Sequence, residues 1–160
     1  MKDFRQFIKE SGGLFDCRPI LCVDSVARSI DYYVKSLGFR LGWSWSGKEQ
    51  RFLEPGDSAE PDFALVGRGH VQFMLSQQCQ GAPGMWLHLD VQTAQQLDAL
   101  HDEWTRNGAK IDESPFVRPW GMYELRLRDP DGHTLRVSSP PRNPGSTHPA
   151  RAGSGDSAVP

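Results

Sequence analysis

His88 and Asp90 stand two residues apart in the segment WLHLD, where apolar and polar residues alternate as they do in a half-buried β-strand. Alternate side chains of a strand share one face, so the imidazole and the carboxylate lie side by side. This pair suits general acid–base catalysis, in which the carboxylate orients the histidine. It equally suits a hydrogen-bonded histidine in the wall of a sheet, or a histidine that joins a metal site of unusual composition. The sequence leaves these three interpretations open.

Tryptophans offer a second kind of chemistry, the stacking of planar ligands. Trp86 shares a predicted strand face with His88, and Trp120 lies in the turn sequence PWG. Trp43 and Trp45 share one face of another predicted strand. Large rings beside polar neighbours favour contact with a ligand, whereas packing in the core or between two chains is the alternative.

Two arginines and a methionine fall on strand faces of the same kind. Arg18, Met74 and Arg136 alternate with apolar residues that a helix is expected to cover. A guanidinium on an inward face needs a counter-charge. Either a ligand supplies that charge, or a nearby acid such as Asp90 or Glu124 does.

Two helices are predicted to hold these strands in place. Apolar residues recur at helical spacing in two lists, which are Val26, Ile30, Tyr33, Val34 and Leu37, and then Ala94, Leu97, Leu100 and Trp104. Gly38 and Gly108 follow them as stop signals. Trp104 belongs to a helix stripe and is therefore expected in the core.

A strand precedes each predicted helix and several strands follow it, which indicates a duplicated βαβββ module. The predicted strands are 18–23, 39–45, 62–66 and 70–76, then 85–91, 109–112, 121–128 and 133–138. The predicted class is α+β, with two tandem modules that form curved mixed sheets around a cleft and helices on the outer face. The uncovered strand faces mix polar and apolar residues, as the wall of a cleft does.

The segments ILCVDSVARSIDYYVKSLGF and RPWGMYELRLRDPDGHTLRVSSP resemble the vicinal-oxygen-chelate superfamily, which includes glyoxalase I, ring-cleaving dioxygenases and bleomycin-resistance proteins. The resemblance covers the span 19–139 and implies paired βαβββ modules. In the metal-using branches, the first and last strands of each module supply ligands. The matching positions here are Arg18, Met74, Trp86 and Arg136. None of these side chains is a suitable ligand for a hard divalent ion, so the resemblance implies no metal and no cofactor.

In character the chain is similar to the bleomycin-resistance group, in which aromatic side chains stack on a drug that two chains hold in shared grooves. The resemblance implies a metal-independent homodimer that sequesters a bleomycin-like or other planar aromatic molecule. The expected ligand-binding residues are Trp43, Trp45, Met74, Trp86, His88, Trp120, Arg18 and Arg136. The alternatives are an enzyme of the same superfamily, such as a lyase, dioxygenase or isomerase, and a small-molecule-binding regulator.

The composition of the chain disfavours several other classes of function. The 160 residues carry 18 basic and 20 acidic side chains, so the net charge of −2 predicts no general attraction to nucleic acid or membranes. The first residues contain no apolar run typical of a signal peptide, and we expect a cytoplasmic protein.

The predicted domain covers 15–139, with modules at 15–77 and 84–139. Residues 1–14 form an amphipathic extension in which Phe4, Phe7 and Ile8 recur at helical spacing. The Pro-, Gly- and Ser-rich residues 140–160 are expected to be disordered. The acidic segment 47–62 is interpreted either as a lid for a cationic ligand or as a solvated loop.

Overall fold

The computed structural model describes residues 17–77 and 80–141. The predicted extension at 1–14 and nearly all of the predicted tail at 140–160 lie outside these residues. No helix in the described ranges is long and apolar enough to cross a membrane.

The first module builds a five-stranded sheet. Its elements are β1 (Ile20–Cys22), helix α1 (Val26–Asp31), a π-helical turn (Tyr32–Ser36), β2 (Arg40–Ser46), β3 (Arg51–Phe52), β4 (Phe63–Arg68) and β5 (Val71–Ser76). The strand order is β1-β5-β4-β2-β3. β1 runs parallel to β5, and the other pairs are antiparallel.

The second module repeats this plan with four strands. Its elements are β6 (Trp86–Asp90), helix α2 (Ala94–Arg106), β7 (Ile111–Val117), β8 (Tyr123–Arg128) and β9 (Thr134–Ser139). The order is β6-β9-β8-β7, again with the first strand parallel to the last. The predicted α+β class with two mixed sheets is confirmed.

Both helices begin at a side-chain cap. Ser25 Oγ accepts a hydrogen bond from the Arg28 backbone N–H at 3.3 Å. At α2, Thr93 Oγ1 accepts from the Gln96 N–H at 3.2 Å, and the Gln96 side chain accepts from the Thr93 N–H at 3.1 Å. This reciprocal pair satisfies backbone donors that the first helical turn leaves open.

The covered faces of both sheets contribute to one apolar core. Trp104 is 2% exposed, as its helical spacing predicts, and its indole N–H donates to the backbone carbonyl of Leu37 at 3.0 Å. The α2 helix of the second module is thereby joined to the end of the first module's helical segment. Each sheet consequently turns its other face away from this core.

The turn DPDG also connects the modules. Tyr33 donates its hydroxyl to Asp129 Oδ2 at 2.7 Å, and Ser29 donates its hydroxyl to Asp131 Oδ2 at 3.0 Å. Gly132 has a φ of 83°, which favours glycine because this left-handed backbone conformation strains a residue that carries a Cβ. Burial, and then the charge of Asp129, raise the pKa of Tyr33 well above its usual value, so the phenol remains a donor.

Two predicted boundaries were wrong. β7 extends to Val117 rather than ending at 112, because Pro115 sits at an irregularity of an edge strand, where its missing N–H breaks no ladder. The acidic segment 47–62 contains β3, a strand of two residues that is too short to show periodicity. β3 pairs with the end of β2, and the rings of Trp45 and Phe52 meet there at 5.0 Å.

Candidate functional site

The eight predicted ligand-binding residues divide between the open faces of the two sheets. Trp43, Trp45 and Met74 lie on the first sheet, with Arg18 just before β1, and Trp86, His88 and Arg136 lie on the second, with Trp120 in the loop between β7 and β8. The core lies behind both faces, and the two groups lie on different sheets of the chain. The two faces therefore have to be considered separately.

The open face of the first sheet is an aromatic face, built from Trp43, Trp45, Phe52 and Phe63. Trp43 lies 5.7 Å from Phe52 and 5.6 Å from Phe63 between ring centroids. The strand register extends this face from Trp43 across β4 to Met74 on β5. Rings and a thioether make a soft apolar surface that suits a flat organic molecule.

Arg18 forms a hydrogen bond with an amide of the first sheet. Its Nε donates to Gln72 Oε1 at 2.7 Å. The predicted strand 18–23 is shorter in the structure, where β1 begins at Ile20, so Arg18 precedes β1 while Met74 lies on β5. Neither of the acids suggested as partners for the arginines, Asp90 and Glu124, lies on this sheet.

A cleft of about 550 Å³ lies between helix α1, strand β2 and the acidic segment 47–62. Its lining includes Ile30, Trp43, Phe52 and Asp57. Arg51 binds Asp57 at 2.8 Å, and this hydrogen bond, helped by the Glu54 backbone N–H, lowers the pKa of Asp57 to about 2. The segment is thus ordered by an internal ion pair and forms one wall of the cleft.

The open face of the second sheet is an arginine face, built from Arg118, Arg126 and Arg136 with Trp86 and Trp120. Pairing of β8 with β9 sets Arg126 directly opposite Arg136. Like charges in directly opposite positions destabilise a sheet unless neighbours compensate for them. The surrounding groups therefore determine whether this pair is stable.

Glu124 compensates one member of the pair. It is fully buried, and it accepts hydrogen bonds at 3.0 Å from Arg136 Nε and from the indole N–H of Trp120. Arg118 Nε approaches the same carboxylate at 3.3 Å. Burial raises the pKa of Glu124, but the hydrogen bonds from Arg136 and Trp120 outweigh burial, and the net pKa is lowered. Of the counter-charges considered for Arg136, Glu124 is the one present.

The guanidinium groups stack on aromatic rings. Arg136 Cζ lies 5.3 Å from the ring of Trp120, and Arg126 Cζ lies 5.4 Å from the ring of Trp86. Both distances fall within the range of cation–π attraction. Trp86 and Trp120 nevertheless remain 61% and 55% exposed. These rings are held in place by arginines and still present large apolar surfaces.

His88 lies at the edge of the arginine face. Its Nε2 is 3.0 Å from Asp90 Oδ1 and 3.1 Å from Ser138 Oγ. Both partners meet the same nitrogen, whereas a nucleophile-activating relay places one partner on each ring nitrogen. The geometry favours the hydrogen-bonded wall histidine over a serine nucleophile activated through His88.

Comparison with known proteins assigns the family. Residues 17–137 match the model of the Glyoxalase/Bleomycin resistance protein/Dioxygenase superfamily. The chain belongs to this superfamily. Among curated proteins, none matches the sequence significantly.

Solved structures share the fold. The bleomycin-binding protein from bleomycin-producing Streptomyces verticillus, complexed with copper(II)-bleomycin, is 24% identical over 80% of this chain and 98% of that chain, with a TM-score of 0.57. TioX from Micromonospora sp. ML1 is 19% identical over 85% and 100% of the two chains, with a TM-score of 0.57. A superfamily member from Sphaerobacter thermophilus DSM 20745 has the same identity and TM-score over 79% and 97%. At these identities the similarity establishes the fold alone.

The four residues that the sequence resemblance matched to metal positions are unsuitable as metal ligands. Arg18 precedes β1, Met74 lies on β5, and Trp86 and Arg136 lie on the second sheet. Guanidinium and indole offer no lone pair for a metal, and a single thioether binds hard cations weakly. In the described ranges, no group of three or more His, Cys, Asp or Glu could hold a metal ion. The residues at these positions do not fit the metal centre of the metal-using relatives.

Several residues of the arginine face were missed by sequence reasoning. Arg118 and Arg126 were not among the predicted site residues, and neither was Glu113, which pairs with both. The alternation in MYELRLR places Glu124 and Arg126 on one face and was a usable signal. Arg118 had no such signal, because it reaches the face from the loop after β7.

Proposed function

We propose that this superfamily member is a metal-independent small-molecule-binding protein that sequesters a planar aromatic ligand. Two copies of the chain form the binding grooves, in the manner of bleomycin-resistance proteins. The solved bleomycin-binding protein supports this proposal by its shared fold. A bleomycin-like drug is accordingly the first ligand to test.

The observation that carries the proposal is the exposure of two structured aromatic surfaces on one chain. Trp86 and Trp120 are fixed by arginines and a buried glutamate, yet more than half of each side chain is exposed. Exposed large apolar patches on a folded domain mark binding surfaces. A groove needs two walls, so the aromatic face of one copy is proposed to lie opposite the arginine face of its partner.

Titration with bleomycin, followed by tryptophan emission and by calorimetry, tests this proposal. We expect saturable binding at micromolar drug, weakened about tenfold or more in Trp86→Phe and Trp120→Phe, because stacking residues at a binding centre contribute about 1–3 kcal/mol each. Trp104→Phe is the matched control, since it removes a tryptophan from the core and leaves both open faces intact. The absence of saturable binding, or equal affinities for wild type and both face variants, would contradict the proposal.

A second candidate function is an enzyme of the same superfamily that uses His88 as an acid–base residue or in a non-standard metal site. The half-exposed imidazole beside Asp90 is the observation that favours it. Near-stoichiometric metal in the purified protein that disappears in His88→Ala, or turnover that chelators abolish, would replace the binding hypothesis with this one.

A further inference from the structure

We infer that the ligand of the arginine face carries an anionic group at its edge, such as an aromatic carboxylate, which binds between Arg126 and Arg136. This inference rests on the proposed function and specifies the class of ligand. It starts from the register of β8 and β9, which places these two cations directly opposite each other. Their Cβ atoms are then about 5 Å apart, a repulsive arrangement for like charges.

The arginine face has fewer carboxylates than guanidinium groups. Glu113 and Glu124 are shared among Arg118, Arg126 and Arg136. Two carboxylates thus serve three guanidinium groups, which leaves a surplus positive charge. Two further acids near this face are already engaged, since Asp112 pairs with Arg128 and Asp90 with His88.

Arg126 is the least satisfied of the three arginines. It makes a 3.2 Å ion pair with the half-exposed carboxylate of Glu113. Its Nε is buried and, like that of Arg118, has no hydrogen-bond partner among the described residues, but Arg118 has ion pairs with both Glu113 and Glu124. Arg136, by contrast, donates twice to the fully buried Glu124. A carboxylate placed between the two would give Arg126 a counter-charge besides Glu113, which it shares with Arg118, and would reduce the repulsion across the strands.

The surroundings of Arg126 have room for the rest of such a ligand. A cleft of about 450 Å³ is lined by Trp86, Arg126 and Arg128 together with the paired carboxylates of Asp112 and Glu113, and Arg136 is not part of this lining. The exposed side of the Trp86 ring can stack on a planar ligand, and the carboxylate of that ligand can then reach the guanidinium groups. A local conflict in a strand, between like charges held opposite each other, is the kind of feature that proteins keep at functional sites.

Three naphthalene probes of equal size test the inference by calorimetry. These are 2-naphthoate, neutral 2-naphthamide and the cation 2-naphthylmethylammonium. We expect naphthoate to bind at least about tenfold more tightly than naphthamide, with the ammonium weakest, because charge-assisted hydrogen bonds are the stronger kind. The preference should decrease as salt screens the charges.

Variants of Arg126 test whether this residue causes the preference for naphthoate over naphthamide. Arg126→Gln should reduce the difference between naphthoate and naphthamide to less than about threefold, and Arg126→Lys should retain part of it. Arg106→Gln is the charge-matched control, because Arg106 lies exposed at the end of α2 and should leave the preference unchanged. Thermal melting of each variant checks that the fold is intact.

The possible outcomes separate this inference from the proposed function. Equal binding of the three probes, or tightest binding of the ammonium, would overturn the anionic edge and leave a planar-ligand groove in place. Binding of bleomycin without binding of naphthoate would also overturn the inference while the proposed function stands. If neither bleomycin nor any probe binds, both proposals fail.

Discussion

At the scale of single residues, the contacts of Arg136 show how neighbouring side chains determine the role of a residue. Arg136, which the sequence resemblance matched to a metal position, donates to Glu124 and stacks on Trp120. The carboxylate of Glu124 on β8 thus holds guanidinium groups. Sequence reasoning found the arginine and suggested Glu124 as one partner. It could not choose between Glu124 and Asp90, because that choice depends on the register of β8 against β9.

Glu124→Gln should destabilise the protein more than any other single change on this face. The substitution leaves Arg118 and Arg136 without the buried charge that compensates them, which costs about 3–5 kcal/mol of unfolding free energy. Urea unfolding at neutral pH measures this loss. Glu113→Gln is the control, since its carboxylate is partly exposed and its loss should cost much less.

The stability difference between wild type and Glu124→Gln should depend on pH. Because the folded pKa of Glu124 is lowered, its contribution is complete above the ordinary glutamate pKa of about 4.3 and is lost as pH falls through the folded value. The stability difference between wild type and Glu124→Gln should therefore narrow below about pH 4. A difference that stays constant down to pH 3 would show that the charge of Glu124 is not what stabilises the face.

At the scale of elements, the sequence predicted the helices and strands whose periodicity and caps are local features of the chain. The strand alternation and the α2 stripe, which ends in a buried Trp104, appear in the structure as expected. The π-helical turn at Tyr32–Ser36 was not predicted, since an apolar stripe that fits an α-helix does not reveal a wider turn at its end. The part of β7 beyond residue 112, which runs through Pro115, was also missed, because pairing with β8 stabilises this part of the strand.

Thr93→Ala tests whether the capping box of α2 contributes as its geometry indicates. Removing the hydroxyl leaves the Gln96 backbone N–H without its partner and should cost about 1 kcal/mol. Thr105→Ala, an exposed change within the same helix, is the matched control and should be neutral or slightly stabilising. Chemical unfolding of both variants gives the comparison, and equal stabilities would mean that water replaces the cap.

At the scale of the whole molecule, the position of the core determines where a ligand can bind. The helices and the covered sheet faces form one core, and the aromatic face and the arginine face of one chain belong to different sheets. A two-walled groove therefore needs a second chain under the proposed function. An isologous dimer would contain two such grooves, each with one wall from each copy.

This arrangement predicts that two inactive variants restore binding when they are mixed. Trp43→Ala removes a ring from the aromatic face, and Trp86→Ala removes one from the arginine face, so each homodimer should have two defective grooves. In a mixed dimer, one groove combines both altered walls and the other combines both intact walls. Random exchange of chains makes about half of the dimers mixed, so about one quarter of the wild-type binding sites should reappear. Calorimetric titration of the mixture after co-refolding measures that fraction. A ligand site contained within one chain would instead give no recovery, because each chain in the mixture would keep its own defect.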